Sequence, residues 1–263
     1  IRDVAVTGVQ TCALPILERN LIEEKSREWM EEREKAGNTY VVTRGFADVM
    51  RGARVQARML ETLGRGCFVE KMEETENGYC RVKLANGISG FVPEVALRKR
   101  LDSDRFLWGK SEERFFVEQG IPEGWSEEKF RRKVVECAKG YLGCQYRWGG
   151  KAADGIDCSG VVFMVYLMNG VLIWRDADIR EGYPMKAIWR EGEEMCLVEE
   201  RAKAGDLLFW RGHVGMYLGD GRYLHCTGHE RVFGCRVNSL RRGDEDFRKD
   251  LAEALKVVGS VFS

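Results

Sequence analysis

The run Val161–Met168 (VVFMVYLM) carries no charge and ends at Asn169-Gly170, and a polar, glycine-rich stretch from Gly149 to Asp157 precedes it. A segment apolar on every side predicts a helix buried inside a domain, with Gly170 as its stop. Cys158 then falls in the first turn of that helix. Free backbone N–H groups and the helix dipole favour an anion there, which predicts a thiol pKa below the free value of roughly 8.5. A cysteine that only packs is the competing reading. The acidic, polar entry Asp154-Gly-Ile-Asp157 and the small Ser159-Gly160 after it argue for a presented side chain.

A nucleophilic thiolate needs a base, and the chain has three histidines: His213, His225 and His229. The segment Ala204–Trp210 reads as a turn and a strand. Val214–Leu218 and Arg222–His225 read as two further strands joined by Gly219-Asp220-Gly221, a hairpin signal. His213 is expected at the start of the first and His225 at the end of the second. Antiparallel pairing would set them opposite each other, so that one orients the other's ring. Cysteine, histidine base and histidine orienter form a known catalytic pattern; two surface histidines are the bland alternative.

Tyr146-Arg-Trp-Gly-Gly150, Asp157-Cys158-Ser159-Gly160, Gly205-Asp-Leu207, His213-Val-Gly215 and His225 together resemble the signature of the NlpC-type cell-wall cysteine peptidases, over roughly residues 131 to 263. These are papain-like enzymes that cut bacterial peptidoglycan peptides. The resemblance implies Cys158 as nucleophile, His213 as general base and acid, and His225 as its orienter. It gives the Tyr146 hydroxyl a role in holding the oxyanion, with the Cys158 backbone N–H as second donor. Trp148 reads equally as a cleft wall or a core aromatic.

Arg175-Asp176-Ala177 is similar to a step found in the subset of these enzymes that requires a free substrate N-terminus. By that likeness Asp176 meets the α-ammonium of L-Ala. Asp157 and Ser159 lie beside the γ-linked D-Glu, with Ser159 a partner for its α-carboxylate. Ile179-Arg180 stands where that subset usually has glutamine. A surface ion pair of Arg175 with Asp176 is the alternative. The implied activity is hydrolysis of the bond between γ-D-Glu and diaminopimelate or lysine in murein peptides. An endopeptidase on intact peptidoglycan, a papain-like amidase or acyltransferase, and a non-catalytic wall-binding module stay open.

The fold class expected is α+β: a papain-like domain over residues 126–263, with an antiparallel sheet and a central helix carrying the cysteine. A small all-β barrel over residues 40–100 precedes it. Segments 53–61, 66–73, 78–85 and 87–97 read as its short strands, and Gly90-Phe-Val-Pro93 resembles the close of a bacterial SH3-like domain. Residues 17–39 are expected to be helical and 101–125 an ordered linker. Residues 1–16 resemble translated cloning sequence and carry no functional weight.

The 42 basic and 42 acidic residues cancel, which removes the electrostatic case for nucleic acid or an anionic membrane. No apolar run approaches the roughly 20 residues of a membrane span. Nine cysteines without regular spacing imply no disulfide framework. His225, Cys226, His229 and Cys235 match no common zinc spacing, so neither metal nor cofactor is expected. Free-amine specificity favours the cytoplasm, with export left open, and oligomeric state is unassigned.

Overall fold

The computed structural model describes residues 26–101, 121, 124–229 and 231–262. The expectations for residues 1–16, for 17–25 of the helical segment and for nearly all of 101–125 lie outside the described residues. The chain divides into two compact units, residues 1–109 and 110–263.

In the first unit, helix α1 (Arg27–Ala36) starts at Ser26, whose hydroxyl accepts from the Trp29 N–H at 3.2 Å. It stops at Gly37, where φ of +64° suits glycine. Seven strands follow: β1 (Thr39–Val42), β2 (Phe46–Met50), β3 (Met59–Gly64), β4 (Phe68–Glu76), β5 (Tyr79–Lys83), β6 (Ser89–Pro93) and β7 (Leu97–Lys99). They form one sheet in the order β3-β2-β6-β5-β4-β1-β7, every ladder antiparallel. Val42, Val49, Val69, Cys80, Val82 and Val92 make its core. The strand expected from Ala53 begins only at Met59, because residues 51–57 turn back on themselves and leave Val55 78% exposed. Strand β2 escaped the sequence reading because it places only Ala47 and Val49 inward.

In the second unit, Ser126 caps helix α2 (Glu127–Lys139) by accepting from Lys129 N–H at 3.2 Å. The helix buries Phe130, Val134 and Ala138. A two-residue-strand hairpin, β8 (Lys151–Ala152) with β9 (Gly155–Ile156), leads into helix α3 (Cys158–Met168). Then come β10 (Lys186–Arg190), α4 (Cys196–Arg201), β11 (Leu207–Trp210), β12 (His213–Gly219), β13 (Arg222–Thr227), β14 (Gly234–Ser239), α5 (Lys249–Ala254) and β15 (Val257–Ser260). The antiparallel sheet has the order β10-β15-β11-β12-β13-β14. Helix α3 lies over β12 and β13 and against α2, and residues 158 to 166 are all buried. Its valines cost a few tenths of a kcal/mol each in helix propensity. Burying each contributes about 1.5–3 kcal/mol, so packing holds this helix.

The far face of the sheet carries a second core with Trp189, Leu208, Trp210, Tyr217 and Tyr223. One ion pair ties α2 to the entry of β11. Asp206, 1% exposed, accepts from Arg131 and from the Lys203 N–H, both at 2.8 Å. Gly205 turns the chain there at φ +97°, where a Cβ would also strike Val134.

Candidate active site

The start of α3 is built on two glycines. A Cβ on Gly160 would lie 2.3 Å from the Gly150 carbonyl oxygen, and one on Gly150 would lie 2.3 Å from that of Gly155. Backbone therefore packs on backbone, and the 145–150 loop closes over the helix start. Ile156 N–H donates to the Gln145 carbonyl at 3.0 Å and Arg147 N–H to that of Ile156 at 3.1 Å. This sets Tyr146 alongside Ile156, two residues before Cys158.

Asp157 is the helix N-cap. Its carboxylate accepts from Gly160 N–H at 2.6 Å and from Gly149 N–H at 2.8 Å, and it takes a 3.1 Å contact from Arg175. Arg175 also donates to Ser159 Oγ at 2.5 Å and to the Gly150 carbonyl at 3.4 Å, and Ser159 donates to Asp157 at 3.3 Å. All three side chains are buried. The polar atoms of Asp157, Ser159 and Arg175 are engaged with each other. The Arg175–Asp176 surface pair is absent. Arg175 turns inward, and the exposed Asp176 carboxylate has no hydrogen-bond or ionic partner among the described residues. Trp148 is 82% exposed and is not a core aromatic.

Burial pushes the Cys158 thiol up to about 11, and the neighbouring Asp157 carboxylate adds to this. The Val214 and Ser159 backbone N–H groups act in the opposite sense. The sequence-based expectation of a lowered pKa is corrected: burial outweighs the helix end, whose anion position Asp157 already occupies. The Tyr146 hydroxyl is raised to about 12, first by burial and then by Cys158 and Asp157, so it remains a donor. Its ring is fixed edge-on by Phe233, with centroids 6.0 Å apart. On the other side it meets Gly228, where a Cβ would lie 2.9 Å from it.

His213 directly precedes Val214 in β12, and its ring packs against that of Trp210, with centroids 5.4 Å apart. Its Nε2 lies 2.8 Å from His225 Nδ1. The rings meet edge-on at 78°, with centroids 5.0 Å apart. His225 Nε2 lies 3.0 Å from Asn238 Oδ1, and Asn238 Nδ2 donates to the Asp246 carbonyl at 2.7 Å. Burial pushes His213 down to about 3, with help from His225 and Arg248, and His225 down to about 4. Both rings are neutral at physiological pH. His229, the third histidine, is exposed just beyond the end of β13.

Asn238 and Phe233 were not anticipated. Asn238 had one sequence signal: an amide in a strand interior, where such residues are disfavoured. Phe233 had none, and its φ of +49° is rare for an aromatic residue. Among the described residues no cluster of histidine, cysteine and carboxylate groups is arranged to hold a metal ion.

The fold and site define a mixed α/β domain with a cysteine heading its buried helix and a histidine pair on its antiparallel sheet. The NlpC/P60 family pattern matches residues 143–243. A protein named Dipeptidyl-peptidase 6, from Lysinibacillus sphaericus, is 34% identical over 227 residues, covering 85% of this chain and 72% of its own length. The Gamma-D-glutamyl-L-lysine dipeptidyl-peptidase of Bacillus subtilis (strain 168) is 36% identical over 119 residues, 42% of this chain and 37% of that protein. The solved structure of an NlpC/P60 family protein from Bacillus cereus ATCC 10987 shares the fold, with a TM-score of 0.59 at 20% identity over 87% of this chain and 65% of that one. This chain belongs to the NlpC/P60 family.

Proposed function

We propose that the chain is a cysteine peptidase that hydrolyses the bond between γ-D-Glu and the diamino acid in murein peptides whose N-terminal L-Ala is free. The observation that carries this reading is the Cys158 thiol at the head of the buried helix, close to Tyr146 and to the Val214 backbone, in a domain whose sheet also holds the 2.8 Å His213–His225 pair. The names of the two relatives support the substrate class.

With burial raising the Cys158 thiol and lowering His213, attack is concerted with proton transfer. The Cys158 S–H proton passes to His213 as the sulfur bonds the γ-carbonyl carbon. Tyr146 and a backbone N–H hold the oxyanion. His213 then returns the proton to the amine of the diamino acid as the C–N bond breaks. Water, deprotonated by His213, hydrolyses the thioester and releases L-Ala-γ-D-Glu. Asp176 supplies a free carboxylate for the substrate ammonium, since Arg175 is committed to Asp157. The first unit is read as an SH3-like barrel.

The test is mass spectrometry of L-Ala-γ-D-Glu-diaminopimelate and its L-Lys counterpart after incubation with the protein. Release of the dipeptide is expected, lost in Cys158→Ala. Cleavage that survives this substitution refutes the mechanism. Equal rates on N-acetylated peptide would remove Asp176 from its role.

A further inference from the structure

The chain of buried polar groups extends past the histidine pair to Asn238 and a main-chain carbonyl, and hydrogen-bond chemistry fixes its direction. A carbonyl oxygen only accepts, so the group of Asn238 facing Asp246 O must be the amide nitrogen, as the 2.7 Å contact has it. The same oxygen also receives the Ser239 N–H at 3.2 Å, and Asp246 is anchored to Arg222 by a 2.6 Å ion pair. The amide is 3% exposed and cannot turn without stranding its nitrogen. Its oxygen therefore faces His225, and an amide oxygen only accepts. The His225 nitrogen 3.0 Å away, Nε2, must carry the proton.

A neutral imidazole carries one N–H. With Nε2 protonated, His225 Nδ1 is bare and accepts across its 2.8 Å contact, so His213 Nε2 carries the proton there. His213 Nδ1 is then the one unprotonated nitrogen of the relay that accepts from neither ring.

We propose that Asn238 is a positioning residue for the reaction: by orienting its amide against Asp246 it sets the tautomer of His225, and through it leaves His213 Nδ1 as the proton acceptor for the nucleophile. This rests on the reading of Cys158 and His213 given above. Asn238 touches neither substrate nor reacting atoms, and it acts only through two rings. Without an acceptor at position 238, His225 loses its preference and both rings populate the reversed tautomer, in which His213 Nδ1 holds the proton and cannot receive another.

With only three histidines in the chain, the experiment is direct. Protein labelled with 15N-histidine, near neutral pH, gives the tautomer of each ring from long-range 15N–1H couplings, with exposed His229 as internal reference. Wild type is expected to have His213 and His225 both in the Nε2–H form. Asn238→Leu is expected to mix both tautomers and to lower kcat by about 10–100-fold, the scale of a mispositioned general base, with KM within twofold. Asn238→Asp keeps an acceptor at the same reach and should restore the Nε2–H forms and at least part of kcat. His213 protonated at Nδ1 in the wild type, or Asn238→Leu with unchanged tautomers, overturns the proposal. The couplings need no turnover, so they judge Asn238 even if the murein peptide is not cleaved. If Asn238→Leu does not fold, the wild-type and Asn238→Asp spectra decide alone.

Discussion

His213 and His225 are joined ring to ring at 2.8 Å although they are not cross-strand partners. The β12–β13 ladder pairs Gly215, not His213, with His225. The contact is a diagonal one, within reach of two flat side chains, and Gly215 clears its path: a Cβ there would lie 3.2 Å from the His225 Cβ. Gly215→Val is therefore expected to displace His225 and lower kcat/KM by about tenfold or more. Steady-state kinetics beside a circular dichroism melt would separate this from unfolding, and unchanged kinetics would refute it.

Burial holds His213 at about 3 and His225 at about 4, against roughly 6.5 in the unfolded chain. Below pH about 6.5 the unfolded chain thus binds more protons than the folded one, and stability falls as pH falls towards 4. The slope is at most about 1.4 kcal/mol per pH unit for each ring. His225, only 1% exposed, should supply more of it than half-buried His213, which solvent screens in part. Urea midpoints across this range should drop for the wild type and drop less for His225→Gln. Parallel curves would show that the ring does not titrate this way.

The buried pair Arg131–Asp206 should matter for folding and not for chemistry. Asp206→Ala leaves the Arg131 guanidinium short of its main partner and should cost about 3–5 kcal/mol. kcat per folded molecule should stay within twofold. A large kcat loss in protein that melts normally would contradict this division.

Arg175→Met removes the side chain that holds Asp157, Ser159 and the Gly150 carbonyl together. It leaves a buried carboxylate partly uncompensated, again at about 3–5 kcal/mol. Asp176→Asn, by contrast, alters an exposed group and should leave the melting temperature within the noise of a surface change. Its expected effect is a raised KM for peptides with a free amine only. Equal effects of Asp176→Asn on free and blocked peptides would dismiss the ammonium contact.

Much of the second unit was legible in the sequence because its signals are strong and local. The uncharged run from Val161, the Ser126 cap and the Gly219–Gly221 turn each appear where expected. What could not be read depends on register and on side-chain direction. The adjacency of Arg175 and Asp176 suggested a pair, yet nothing in adjacency says which side of an irregular segment each faces. Asn238 lies 80 residues from Cys158 and joins the site only through the lateral order of β12, β13 and β14. The thiol pKa was misjudged because the sequence does not show how deeply the sulfur is buried, which raises it first, with Asp157 adding to the shift.

That burial has a bearing on how the protein survives between turnovers. A sulfur kept as S–H beneath the 145–150 loop reacts slowly with peroxides and alkylating agents, which attack the deprotonated form. Inactivation in storage should therefore be slow and should quicken as the medium is made alkaline.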